Sequence, residues 1–171
     1  MAATVASKLL PRFGPRFMMT GGFAVAALGL AWLSRVTPTT SYLAHVLPAE
    51  VLISLGMGTA FVPMSSTALF RVSPHDAGVA SATLNTAQQV GGSLGTALLN
   101  TLAASATVTY LLTHGKTPAH LKAAQVHGYS VGFTVGALFL AGAAVSSFFL
   151  VNATRGDLAD HDGVSGEVAL A

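Results

Sequence analysis

The chain has no cysteine, one tryptophan and very little charge. Without cysteine there is no disulfide framework to staple a small fold. Lys, Arg, Asp and Glu make up 8% of the 171 residues, against roughly 25% in soluble domains. So little charge cannot cover the outside of a soluble globule, and this argues against a soluble enzyme, a nucleic-acid binder or a disordered chain. The pI near 9.3 rests on a net charge of only +2, which is no nucleic-acid surface. No Ser-His-Asp arrangement, phosphate loop or metal-ligand spacing stands out, so no catalytic residue, cofactor or metal is expected.

What the chain does have is apolar length. Hydrophobic residues make up 52% of it, and its mean hydropathy is +0.65. The fourteen charges are bunched. None lies between Phe17 and Ser34, between Ala77 and Gly115 or between Ala123 and Thr154, and only Glu50 lies between Val36 and Phe70. About 20 mostly apolar residues cross a bilayer core as a helix. These stretches predict an all-α polytopic membrane protein with four spanning helices, at about 17–34, 46–70, 79–112 and 130–152. Residues 1–152 form the membrane part, and 153–171 read as a disordered acidic tail. A secretory signal would need a shorter apolar region and a small-residue cleavage site, whereas here 18 uncharged residues end at Trp32-Leu-Ser-Arg35.

Each span has its own character. The first is rich in small residues (Gly21, Gly22, Ala24, Ala26, Ala27, Gly29, Ala31), which let helices approach closely in lipid, and Trp32 suits an interfacial belt. The second contains Pro63 within its apolar run, which suggests a kinked helix inside a bundle. Arg71-Val-Ser-Pro-His-Asp-Ala-Gly78 reads as a polar hinge in which Ser73 or Asp76 caps the next helix, Asp76 being favoured by the helix dipole. In the third span, Asn85, Gln88, Gln89, Gly92 and Thr96 recur at helical spacing and form one uncharged polar face. That face suits either a water-filled cavity or hydrogen bonding between helices. Gly91 and Gly95, with Gly92, suit close helix packing. His114 to His127 reads as a polar loop whose histidines are badly spaced for zinc. The fourth span carries Gly132, Gly136, Gly142 and Ala143 on a small-residue face.

With four spans, Lys8, Arg12, Arg16, Arg71 and Arg155 share one side, and Arg35, Lys116 and Lys122 the other. The side richer in basic residues is the cytoplasmic one, which places both termini there.

Several stretches together resemble the C-terminal part of a major facilitator superfamily transporter, most nearly the fourteen-helix drug:proton antiporter group (EmrB/QacA type). Leu9-Leu-Pro-Arg-Phe-Gly-Pro-Arg16 is similar to a short basic cytoplasmic loop of that family. Arg71-Val-Ser-Pro-His-Asp-Ala-Gly-Val-Ala-Ser-Ala82 with Asn85-Thr-Ala-Gln-Gln-Val-Gly-Gly-Ser-Leu-Gly-Thr96 resembles its next cytoplasmic loop and penultimate helix. His127-Gly-Tyr129 resembles the entry to its last helix. The resemblance implies an alternating-access exporter of amphipathic compounds in the cell membrane, driven by proton entry. It implies that Arg12, Gly14 and Arg16 belong to a cytoplasmic gating loop and that Asn85, Gln88, Gln89 and Thr96 line the substrate pathway. Arg71, Asp76 and Gly78 fall in its helix-cap loop. The expected partners are lipid, substrate and protons, together with the remaining helices of a longer transporter. The expected function is that of a C-terminal fragment of a multidrug efflux antiporter. A self-assembling four-helix transporter and a non-transporting membrane scaffold are the alternatives. The first of these needs a carboxylate in its first span, and 17–34 has none.

Overall fold

A computed structural model describes residues 14–69 and 72–151. The expectations for Arg12, for Arg71 and for the tail 153–171 lie outside the described residues. Within them the chain forms four long helices: α1 (Pro15–Leu33), α2 (Leu47–Ala68), α3 (Ala77–His114) and α4 (Pro118–Leu150). All four are long and apolar enough to cross a membrane.

The helix starts follow local chemistry. Gly14 takes φ +77°, a backbone conformation suited to glycine. It is followed by Pro15, whose fixed φ starts α1. A single π-helical turn, Tyr42–Val46, leads into α2, so this helical stretch begins before residue 46. α2 then runs unbroken through Pro63, which is fully buried.

Two expectations need correction. His114 to His127 is not a loop. Thr117 caps α4 by accepting from the His120 amide at 3.3 Å, and Pro118 occupies the first turn. This capped start turns most of the segment into helix, twelve residues ahead of 130. Nor does Asp76 cap α3 with its side chain, although it holds the N-cap position. Its carboxylate instead accepts the Ser73 hydroxyl at 2.8 Å, and the Asp76 amide donates to Ser73 Oγ at 3.2 Å. The Ser-x-x-Asp spacing ties the two residues into one closed turn, as in a capping box.

Packing follows the small residues. The order in space is α2, α1, α4, α3, each antiparallel to its neighbour. A Cβ on Gly22 would meet the Gly56 carbonyl at 2.6 Å and the Ala60 amide at 2.8 Å. A Cβ on Gly29 would meet Ile53 Cγ1 at 2.7 Å. Thus α1 and α2 touch backbone to backbone. A Cβ on Gly136 of α4 would meet Leu30 of α1 at 3.1 Å, and the Ser130 hydroxyl donates to the Ser34 carbonyl. The tightest α3–α4 contact lies at Gly128, where a Cβ would stand 2.5 Å from the Ala103 carbonyl. Gly142, assigned to the small-residue face, meets nothing within 4 Å.

The core is built from Ala26, Ala49, Ala60 and Ala124, all fully buried. Large apolar side chains such as Phe17, Leu28, Leu138 and Phe149 point outward, each more than 60% exposed. In water that arrangement would strand most of the apolar surface. In lipid it is the stable one, because small residues maximise helix contact and large ones face the acyl chains.

Candidate functional site: a polar stripe along the third helix

α3 has 38 residues and is about 57 Å long at 1.5 Å per residue. Only its C-terminal half packs on α4. Ala103 sits against Gly128 and Gly132, and Leu99 against Gly136. No residue of α3 is buried.

The four residues expected to line a pathway, Asn85, Gln88, Gln89 and Thr96, fall on one side of this helix. At about 100° per residue, Asn85, Gln89, Gly92, Thr96, Asn100 and Ala103 occupy a sector of about 80°, with Gln88 about 40° beyond it. Ala103 fixes where that sector points, since it faces α4. The stripe therefore starts at the α3–α4 seam and runs toward the N-terminus of α3, where the two helices diverge. Asn85, Gln89 and Thr96 are exposed and Gln88 half-buried. Nothing comes within 4 Å of a Cβ built on Gly91, Gly92 or Gly95. These three glycines do not pack against the other helices of this chain, because α3 has already left α4 at that level.

Where the stripe reaches the seam, a cleft of about 360 Å³ opens between α1, α3 and α4. Thr96 and Asn100 line one wall, Tyr129, Gly132 and Phe133 another, and Leu30 closes the end. Sequence reasoning stopped the stripe at Thr96. Asn100, four residues on, carries the same spacing signal. Tyr129 was placed at a helix entry and only the longer α4 brings it here.

The loop residues are distributed differently. Gly14 is buried at the start of α1. Arg16 is half-buried and its guanidinium lies 4.3 Å from the centre of the Phe148 ring. That contact joins the beginning of α1 to the end of α4, so Arg16 serves at least as a clamp between helices. Gly78 is exposed with open space around it, beside the Ser73–Asp76 turn. At the other end, Tyr110 stacks on His114 at 4.1 Å and lies 5.5 Å from His127, joining α3 to α4. Among the described residues, no group of three His, Cys, Asp or Glu side chains has a metal-holding arrangement.

The Major Facilitator Superfamily profile matches residues 1–96, more than half of the chain. The chain belongs to the major facilitator superfamily. Residues along 95% of it align at 46% identity with the puromycin resistance protein pur8 of Streptomyces alboniger, covering 32% of that protein. The cephamycin export protein CmcT of Amycolatopsis lactamdurans is 42% identical over 54% of the chain and 19% of its own length. The lincomycin resistance protein LmrB of Listeria monocytogenes is 29% identical over 84% of the chain and 30% of its own length. The chain thus spans a third or less of each of these relatives. As a facilitator-family chain with four spanning-length helices it is a multi-pass membrane protein.

Proposed function

We propose that the chain forms one wall of the substrate pathway in a proton-coupled exporter of amphipathic compounds in the cell membrane. The observation that carries this reading is the uncharged amide-rich stripe from Asn85 to Asn100. It lies open on a helix that packs over only half its length. Uncharged amides in lipid are costly unless they meet water, ligand or another helix. A hydrated pathway meets that need while binding varied compounds without a fixed charge. The named relatives confer resistance to, or export, antibiotics, which supports the same class of cargo.

The termini face the cytoplasm in this reading, with Arg16 of the gating loop holding the end of α4. Proton coupling resides in other helices of the intact transporter. Glu50, the only carboxylate within the described spanning helices, is exposed at the start of α2 and accepts the Tyr42 hydroxyl at 3.0 Å. A proton relay needs an ionisable group inside the membrane, facing the pathway.

The test replaces Asn85, Gln88 and Gln89 together by alanine in the full-length transporter, followed by dye export from everted vesicles. The expected result is a changed substrate profile with an unchanged melting temperature. An unchanged profile with a lowered melting temperature would refute a pathway role and leave helix packing.

A further inference from the structure

We propose that the groove between α1 and α2, at the end of the bundle carrying Trp32, is a binding site for an anionic phospholipid. Leu28 and Ala31 of α1 and Leu52 of α2 form its apolar floor. Trp32, Arg35 and His45 stand at its rim. The space is about 610 Å³, within the roughly 300–1,000 Å³ of sites that take small organic ligands.

Three features select a lipid over other occupants. The first is depth. α1 has 19 residues, about 28 Å, so its length matches the hydrocarbon core of about 30 Å. Arg35, two residues past its end, therefore sits at headgroup level while Leu28 lies two turns deeper, among acyl chains. The second is polarity. The groove runs from an apolar floor to a charged rim, as a phospholipid runs from chain to phosphate. The third is charge. Among the described residues, Arg35 is the only formally charged side chain lining the groove. The nearest carboxylate in sequence, Glu50, is engaged by the Tyr42 hydroxyl, and Asp76 lies at the opposite end, bound to Ser73.

The other two rim residues hold each other. Trp32 Nε1 donates to His45 Nδ1 at 3.1 Å, and His45 Nε2 faces the Trp32 carbonyl at 3.2 Å. The pair spans the gap between α1 and the turn before α2 and makes a rigid aromatic shelf. Arg35, beside that shelf, is left to fork onto a phosphate with two parallel N–H donors. The proposal requires that the helices span a membrane and that this groove faces lipid in the intact protein, but not that the protein exports drugs, so it stands or falls separately from the transport reading.

The experiment titrates the purified protein in detergent with phosphatidylglycerol or phosphatidylcholine of identical acyl chains and reads bound lipid by native mass spectrometry. Phosphatidylglycerol should bind about five-fold more tightly, the worth of one basic residue near an anionic headgroup. Arg35→Gln should lower it to the phosphatidylcholine level, whereas Arg35→Lys should keep most of the preference. Leu52→Trp, which fills the floor, should reduce both lipids. Equal binding of the two lipids to the unmodified protein would overturn the proposal, as would full phosphatidylglycerol binding by Arg35→Gln. Displacement of the lipid by equimolar inorganic phosphate would also overturn it, since the site would then be one for free anions. A melting curve without lipid checks that Arg35→Gln remains folded, as expected for an exposed residue outside the helix.

Discussion

Two adjacent glycines offer a controlled test of how this bundle is held together. Gly21 and Gly22 are neighbours on α1, yet a Cβ on Gly21 meets nothing within 4 Å. A Cβ on Gly22 would stand 2.6 Å from the Gly56 carbonyl, 2.8 Å from the Ala60 amide and 2.9 Å from Ala60 Cβ. Two of those three atoms are backbone, so no flexible side chain can move aside. To restore an ordinary contact of about 3.5 Å, α1 and α2 must separate by close to 1 Å. A gap of 0.5–1 Å already forfeits about a quarter to a half of each dispersion contact. Overpacking of this kind costs about 1–3 kcal/mol. Alanine also raises helix propensity, by up to about 1 kcal/mol relative to glycine. That gain is common to Gly21→Ala and Gly22→Ala and cancels in their difference. Unfolding of the two variants in mixed micelles should therefore differ by about 1–3 kcal/mol, or about 5- to 150-fold in the equilibrium constant. Gly21→Ala should be neutral or slightly stabilising. If the two variants unfold alike, α1 and α2 do not meet at Gly22 and the proposed crossing is wrong.

Other predictions follow from the same geometry. The chain has no native cysteine, so an introduced pair reports one contact only. A Cβ on Gly132 would lie 3.6 Å from Ala103 Cβ, inside the span of a disulfide, so Ala103→Cys with Gly132→Cys should cross-link on mild oxidation, as a shift in gel mobility. Arg16→Ala and Phe148→Ala, combined in a double-mutant cycle, should show a coupling of about 0.5–2 kcal/mol for the cation–π contact, and additive losses would refute that contact. Thr117→Ala removes the cap of α4 and should cost about 0.5–2 kcal/mol, with faster amide exchange confined to the turns just after Pro118. Unchanged exchange there would mean that Pro118 alone starts the helix.

The tip of the α3–α4 hairpin shows why helix boundaries were harder to read than helix existence. Ser130 lies level with Ser34 at the end of α1. The stretch Pro118–Tyr129, twelve residues or about 18 Å of helix, therefore projects past α1. Hydropathy alone could not extend α4 that far, because His120, Lys122 and His127 dilute the stretch and His114 and Lys116 stand just ahead of it. The Thr-Pro pair at 117–118 held the signal, as a cap followed by a first-turn proline. His114 stacks on Tyr110 one turn back in α3, and His127 of α4 meets the same ring across the hairpin. At Asp76, by contrast, the turn and the N-cap position were located, but neither Asp76 nor Ser73 caps α3 with its side chain. Ser73 and Asp76 satisfy one another.

Sequence alone was enough to say that this chain lives in lipid, that four of its stretches are long and apolar enough to cross a membrane and that one helix carries an uncharged polar stripe. Those follow from where charge is absent and from a 3.6-residue period, both local properties. It also showed which stretches are rich in glycine. It could not say which glycines touch. Gly22, Gly56 and Gly128 lie against backbone, while Gly91, Gly92, Gly95 and Gly142 face open space. The same residue type on similar helices has opposite surroundings, because contact depends on where two helices cross and where they part. The divergence of α3 from α4 decides the candidate site as well, for it turns a stripe of amides into an open surface beginning at the seam marked by Thr96 and Asn100. No local pattern encodes an angle between helices separated by a turn, and only the tertiary structure supplies it.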